Sequence, residues 1–243
     1  MENFVIFGDS PFAERMFSYI KIEGIAKVKA FTQEKNFIHR EYIDGIKVIP
    51  FDELEPSEDF SVLLGIGYSK MNTLRESIYR LLKKRNFNIG KYISRNANIY
   101  IKPGKIGEGS FLCPNICIGP NCSIGVCNIF ESGTILAHDN DVGNYNYFSV
   151  GSIVAGNTKI ENNCFLGSNC TVIDDVIVKN QTLLGSGANV VGFDYTYEQG
   201  GGVRGKSSEN GRWKNINGNK NLENRYYSVR LMPIPANKEL CVK

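Results

Sequence analysis

Histidine and tryptophan are scarce in this chain of 243 residues, which contains two of the first and one of the second. Only His39 and His138 are present, which argues against a zinc centre built on three histidines. The net charge is only +3, and no cluster of basic residues indicates a nucleic-acid surface. No apolar run reaches the ~18 residues that a membrane-spanning helix needs. The first residues lack the basic segment and cleavage site of a signal peptide, so we expect a cytoplasmic protein with no membrane partner.

A repeat dominates the middle of the chain. Positions spaced six residues apart, without one slip, carry only Ile, Leu, Val or Phe. A period of six is neither helical nor a plain strand alternation, and it is typical of a parallel β-helix whose six-residue units form the sides of a triangular prism. Three units close one coil, so the run predicts about five coils with these side chains pointing inward. The positions are Ile106, Leu112, Ile118, Ile124, Phe130, Leu136, Val142, Phe148, Val154, Ile160, Leu166, Val172, Val178, Leu184 and Val190.

The seven cysteines contain no C-x-x-C pair, the spacing that favours a metal site. Three of them recur at the position of the repeat where small residues fit a corner: Cys122, Cys164 and Cys170. We therefore interpret them as small buried side chains in a reducing compartment, and we expect no metal cofactor.

Residues 1–92 predict a different unit, a small α/β domain, because continuous apolar strands alternate with amphipathic helices. Predicted strands cover Asn3 to Phe7, Val28 to Phe31 and Ser61 to Ile66, and the stretch 32–47 is predicted as a polar excursion. Gly8-Asp9-Ser10 and Gly67-Tyr68 each follow a strand at the edge of the sheet where ligands usually bind. They indicate either a nucleotide or phosphate site, or simple turn chemistry.

His138 is the one residue of the repeat that has no place in building it. It lies two positions after Leu136, is followed by Asp139, and has Gly156 one coil further along, which leaves room for the imidazole. A neutral imidazole can accept a proton from an amine or hydroxyl that attacks an acyl group, and a neighbouring carboxylate can orient the ring. A lone surface histidine can equally be without a function.

The sequence resembles the NeuD/PglD-type sugar acyltransferases over residues 1 to about 192. The resemblance rests on the repeat, the N-terminal domain and the stretches IGYSKMNTLR, KYISRNANI and LAHDNDVGNYNYFSVGSIVAGNTKIENNCFLGSNCTV. It implies a Rossmann-like α/β subdomain (1–92), a left-handed parallel β-helix (93–192) and an irregular C-terminal extension (193–243). It also implies a homotrimer with sites between neighbouring prisms and acetyl-CoA as the donor. The acceptor would be a UDP- or dTDP-linked 4-amino-4,6-dideoxy sugar for surface glycans such as lipopolysaccharide.

The resemblance also implies roles for single residues. His138 would be the general base and Asp139 the acid that orients it. The sugar nucleotide would be held by Gly8, Asp9, Ser10, Thr32, Gly67, Tyr68, Asn72 and Arg75. Acetyl-CoA would be held by Tyr147, Gly156, Ser168 and Ser186. Two departures from the family stand out, since some relatives have histidine where Tyr147 stands and relatives usually end without the segment 193–243.

Three alternatives remain open at this stage. The chain could transfer an acetyl group to a sugar hydroxyl, as on sialic acid, instead of an amine. It could be a non-catalytic scaffold that binds a nucleotide sugar. A zinc hydratase on the same prism is disfavoured, because the repeat contains a single histidine. The sequence does not distinguish the nucleotide, the sugar or the acyl group.

Overall fold

The computed structural model describes residues 2–190, so the predicted extension 193–243 lies outside the described residues. The N-terminal part is an α/β unit with a five-stranded sheet of order β3-β4-β2-β1-β5, in which every pairing except β3 with β4 is parallel. Its strands and helices are β1 (Glu2–Phe7), α1 (Pro11–Glu23), β2 (Ala26–Gln33), β3 (Tyr42–Ile43), β4 (Ile46–Pro50), β5 (Ser61–Leu64) and α2 (Thr73–Lys84).

Helix α1 begins and ends where its sequence provides caps. The Ser10 side chain accepts a hydrogen bond from the backbone N–H of Ala13, and Gly24 at the C-terminal end adopts a left-handed φ of 59°. The predicted polar excursion 32–47 is partly wrong, because it contains β3 and the start of β4. Asp44 and Gly45 turn the chain between these two strands with φ of 47° and 79°. The short hairpin was missed because its first strand has only two residues.

Residues 92–190 form a left-handed parallel β-helix with three faces. The first face has six strands: β6 (Tyr92–Ile93), β8 (Phe111–Leu112), β11 (Ile129–Phe130), β14 (Tyr147–Phe148), β17 (Phe165–Leu166) and β20 (Leu183–Leu184). The second face also has six: β7 (Asn98–Ile99), β9 (Cys117–Ile118), β12 (Ile135–Leu136), β15 (Ile153–Val154), β18 (Thr171–Val172) and β21 (Asn189–Val190). The third face has four: β10 (Ser123–Ile124), β13 (Asp141–Val142), β16 (Lys159–Ile160) and β19 (Ile177–Val178).

All fifteen predicted inward positions are buried, each with at most 4% of its surface exposed. The prism is nevertheless longer than predicted, because β6 and β7 add a rung to the first and second faces. Ile93 pairs with Leu112 and Ile99 with Ile118, a step of 19 residues where later rungs step by 18. The extra residue lies before Ile106, near the helical turn Pro103–Lys105, and it interrupts the six-residue period.

The three corner cysteines are buried and free, as predicted. Cys122 donates its S–H to the carbonyl of Ala137 at 2.9 Å, and Cys164 donates to that of Lys179 at 3.0 Å. Burial raises the pKa of Cys164 to about 11 and that of Cys170 to about 12. Within residues 2–190 no cluster of His, Cys, Asp and Glu has the arrangement of a metal site. Over the same residues, no helix has the length and apolar character needed to cross a bilayer.

The α/β domain docks on the first face of the prism. Phe111 and Ile129 point outward from that face and are buried against the domain, and the rings of Phe12 and Phe111 are 6.0 Å apart. Two outward residues of the second face, Ile135 and Ile153, stay exposed. The domain therefore covers one face of the prism and leaves two neighbouring isoleucines uncovered on another.

Candidate active site

His138 and Asp139 lie at the corner between the second and third faces, in the turn from β12 to β13. His138 Nδ1 is 2.7 Å from Asp139 Oδ2, and Asn121 donates to Asp139 Oδ1 at 3.0 Å. The hydrogen bonds from His138 and Asn121 lower the pKa of the Asp139 carboxyl. A neutral ring that donates from Nδ1 to Asp139 carries its lone pair on Nε2, and 60% of the His138 side chain is exposed. This arrangement can accept a proton from a bound nucleophile.

Gly156 stands one coil beyond His138 and makes the space that the imidazole occupies. A Cβ on residue 156 would lie 2.6 Å from His138 Cε1 and 2.8 Å from Nε2. The same Cβ would lie 3.2 Å from Oδ1 of Asp174, which accepts the Gly156 N–H at 2.8 Å. The predicted place of Gly156 beside the imidazole is therefore confirmed, whereas its predicted contact with acetyl-CoA stays a prediction.

A cavity of about 640 Å³ lies between the α/β domain and the first face of the prism. This volume is within the usual range for small-molecule sites, about 300–1,000 Å³. Five of the predicted ligand residues line it: Asp9, Ser10, Gly67, Tyr68 and Tyr147. The N-terminal end of α1 and aromatic rings complete the wall, so the cavity combines anion-binding backbone with surfaces on which a ring can stack.

Asp9 is a nearly buried carboxylate in this wall. It accepts the backbone N–H of His39 at 2.9 Å, and the His39 ring Nδ1 lies 3.2 Å away. Gly8 and Thr32 lie behind the wall, where the Gly8 N–H donates to the Thr32 carbonyl at 2.8 Å. Gly8 has φ of 118°, and a Cβ there would be 2.8 Å from the carbonyl oxygen of Gly65, so a larger residue would not fit.

Asn72 and Arg75 do not line the cavity; they fasten α2 to the prism. Arg75 is fully buried, and its guanidinium donates to the carbonyls of Cys127 at 3.0 Å and of Tyr145 at 3.1 Å, with three longer bonds to Ile66, Gly67 and Asn146. Asn72 donates to the carbonyl of Cys164 at 2.9 Å. Neither residue lines the cavity, and the guanidinium of Arg75 is paired within the protein, so their role in holding the sugar nucleotide stays a prediction.

The four residues predicted to hold acetyl-CoA lie in three different places of a single chain. Tyr147 points outward from the first face into the cavity. Ser168 and Ser186 lie at the corner between the first and second faces, where the Ser168 hydroxyl is 2.8 Å from that of Ser149. Gly156 lies at the corner of His138. One chain therefore does not gather these residues into one site.

The residues absent from the sequence prediction include a cation and a histidine of the cavity wall and one buried neighbour. Arg15 and His39 line the cavity, and Glu131, with 4% of its side chain exposed, bonds Arg15 from the prism side. Glu131 directly follows Phe130 of the repeat. A buried carboxylate is unusual, so an acidic residue at this position was the feature of the sequence that could have identified it. The partner, Arg15, is 116 residues away in sequence and carries no such signal.

The cavity and His138 are far apart within one chain. The cavity lies on the first face, and the corner of His138 is the corner opposite that face. A side of six residues is ~20 Å long, which puts His138 on the order of 17 Å behind the first face, across the packed core. A ligand in the cavity therefore cannot reach His138 of the same chain.

The fold is similar to that of solved acetyltransferase structures. One solved structure with this fold is a histidine-to-alanine mutant of GDP-perosamine N-acetyltransferase from Caulobacter crescentus in complex with CoA and GDP-perosamine. It is 22% identical, has a TM-score of 0.67, and the match covers 79% of this chain and 89% of that one. Another is the acetyltransferase domain of PglB from Neisseria gonorrhoeae, at 18% identity and a TM-score of 0.67, covering 79% and 92%.

A third structure is PerB from Caulobacter crescentus with CoA and GDP-perosamine, at 19% identity and a TM-score of 0.52 over 79% and 89% of the two chains. The sequence matches no protein-family model, and no curated protein matches it significantly. At these identities the likeness shows the fold, and it confirms the expected left-handed β-helix with its N-terminal α/β domain.

Proposed function

We propose that this chain is an acetyl-CoA-dependent N-acetyltransferase whose acceptor is a nucleotide-linked 4-amino-4,6-dideoxy sugar. The observation that carries the proposal is the His138–Asp139 pair, exposed on a prism of the fold found in sugar N-acetyltransferases. In a ternary complex, the sugar amine attacks the thioester carbon while His138 Nε2 takes the amine proton, and the CoA thiolate leaves. Asp139 holds the ring and stabilises its protonated form.

The cavity supports a nucleotide-linked acceptor, because it joins a nearly buried carboxylate, a helix N-terminus and several aromatic rings. The sequence resemblance pointed to UDP or dTDP as the nucleotide. Two of the structures that share the fold contain GDP-perosamine, so GDP-linked sugars join the candidates. An amine acceptor is favoured over a hydroxyl for the same reason, since both proteins are described as acting on, or bound to, an amino sugar.

We further propose a homotrimer in which each site combines the cavity of one chain with His138 of the next. The second face supports this assembly, because Ile135 and Ile153 point outward from it with 41% and 38% of their surface exposed. Its two edges differ: one borders the first face and the cavity, and the other carries His138. If three second faces surround one axis, the cavity edge of each prism meets the His138 edge of its neighbour.

A mixing experiment tests the shared site. His138→Ala removes the base, and Gly67→Leu fills the cavity, because a side chain on residue 67 extends toward Phe12 across the cavity wall. Each variant alone should lose acetylation of an amino-sugar nucleotide, by about 10²–10⁴-fold for His138→Ala. Random co-assembly in equal amounts should restore about a quarter of the wild-type sites, since each site takes one element from each of two adjacent chains.

The controls separate the two parts of the proposal. Lys179→Ala changes an exposed residue at another corner and should keep full activity. Activity of His138→Ala within about tenfold of wild type would remove the general base from the mechanism. Inactive mixtures from two folded variants would instead refute the shared site. A wild-type protein that acetylates hydroxy but not amino sugars would favour the O-acetyltransferase alternative.

A further inference from the structure

Arg15, Glu131 and Tyr147 form a polar cluster where the cavity meets the prism. Arg15 Nη2 donates to Glu131 Oε1, and the Tyr147 hydroxyl donates to the same oxygen at 2.5 Å. Glu131 is nearly buried at the corner between the first and second faces, whereas Arg15 and Tyr147 both line the cavity. The three side chains join helix α1 to the prism directly beneath the cavity.

The cluster holds a cation at the cavity wall. Burial lowers the pKa of Arg15, but the charge of Glu131 and the hydrogen bond to Tyr147 outweigh it, so the pKa is raised and the guanidinium stays charged. Glu131 anchors one edge of the guanidinium, and the Phe12 ring packs 5.1 Å from its centre. Because 45% of the Arg15 side chain is still exposed, the group is oriented by protein contacts and yet accessible from the cavity.

A guanidinium presented in this way suits a phosphate, because its planar fork of N–H donors matches phosphate oxygens. The remaining lining suits the other parts of a nucleotide sugar. Phe37 and His39 lie at the end of the cavity formed by the loop after β2, and Tyr68 and Tyr147 lie at the prism end. In a nucleotide sugar the diphosphate links the nucleoside to the sugar, and Arg15 is the cavity cation held at the prism side by Glu131.

We propose that Arg15, oriented by Glu131, binds the diphosphate of the acceptor in the cavity between the α/β domain and the prism. This inference rests on the proposed nucleotide-sugar function and adds the residue that reads the diphosphate. Glu131 and Tyr147 act as positioning residues, since they hold the guanidinium.

Calorimetric titration with nucleoside diphosphates and their nucleosides tests the proposal. UDP, dTDP and GDP are compared with uridine, thymidine and guanosine on wild type, Arg15→Ala and Arg15→Lys. For the nucleotide that binds most tightly, Arg15→Ala should weaken binding of the diphosphate by about ten- to a hundredfold. Binding of the corresponding nucleoside should weaken by less than about twofold. Arg15→Lys should fall between, because it keeps the charge but not the fork.

The ratio of the two affinities is the informative quantity, because a partly unfolded variant lowers both equally. Lys21→Ala is the matched control: it removes one positive charge from the same helix, at its pair with Asp44 away from the cavity, and should leave the ratio unchanged. If Arg15→Ala leaves the ratio of diphosphate to nucleoside affinity unchanged, Arg15 does not bind the diphosphate, although the protein still binds nucleotides. A wild-type protein that binds none of the three diphosphates overturns the proposed function as well.

Discussion

Replacing Gly156 by alanine should inactivate the enzyme without unfolding it. The new methyl group would lie 2.6 Å from His138 Cε1 and 2.8 Å from Nε2, far inside normal contact distance, so the imidazole must move by roughly 1 Å or more. His138 can swing away at small cost because most of its side chain is exposed, but the move breaks its 2.7 Å contact with Asp139. Displacement of a catalytic group by 1 Å costs about 10²-fold in rate.

We therefore expect kcat/KM for amino-sugar acetylation to fall about 10²-fold in Gly156→Ala, with a change in unfolding free energy below about 1 kcal/mol. Steady-state kinetics and urea denaturation measure the two quantities on one preparation. Gly104→Ala is the matched control, because a Cβ there meets nothing within 4 Å and φ is not positive. Gly156→Ala with activity within about threefold of wild type would show that this contact does not set the position of the imidazole.

Other expectations concern assembly, stability and thiol chemistry. Ile153→Lys should convert the proposed trimer to monomers in size-exclusion chromatography with light scattering, whereas Ser123→Lys, at the same outward position of the third face, should not; a trimer in both would place the interface elsewhere. Arg75→Met should lower the free energy of unfolding by ~3 kcal/mol in urea denaturation, because buried carbonyls lose their donors; no loss would contradict the fastening role. In thiol labelling of the Ile153→Lys monomer at pH 8, where the second face is open, half-buried Cys117 should react before Cys170, whose pKa of about 12 keeps it protonated; the reverse order in peptide mass spectrometry would contradict the burial.

The repeat predicted the prism interior because the geometry of the coil imposes a strict period on the chain. An inward side chain recurs every six residues, so each of the fifteen positions could be assigned without knowing its neighbours. The first rung was missed for the same reason. One extra residue before Ile106 shifts Ile93 and Ile99 out of the period, although both pack in the prism.

The ligand residues were less predictable, because burial and pairing depend on contacts distant in sequence. Asn72 and Arg75 lie beside Gly67 and Tyr68 in the sequence, yet they turn toward the prism rather than the cavity. The period identifies which residues of a β-helix point outward. It does not tell which outward face another domain covers, and Glu131 lies beside the cavity only because α1 docks there.

The attachment of helix α2 has a further consequence. Arg75 and Asn72 bond to backbone carbonyls of the prism and not to side chains, so no substitution on the prism surface removes these acceptors. Together with the bond between Arg15 of α1 and Glu131, they hold the α/β domain at one position on the prism. Under the proposed function, an acceptor with one phosphate fewer or one more would present its sugar several ångströms out of place, so the fold itself would select substrates by length.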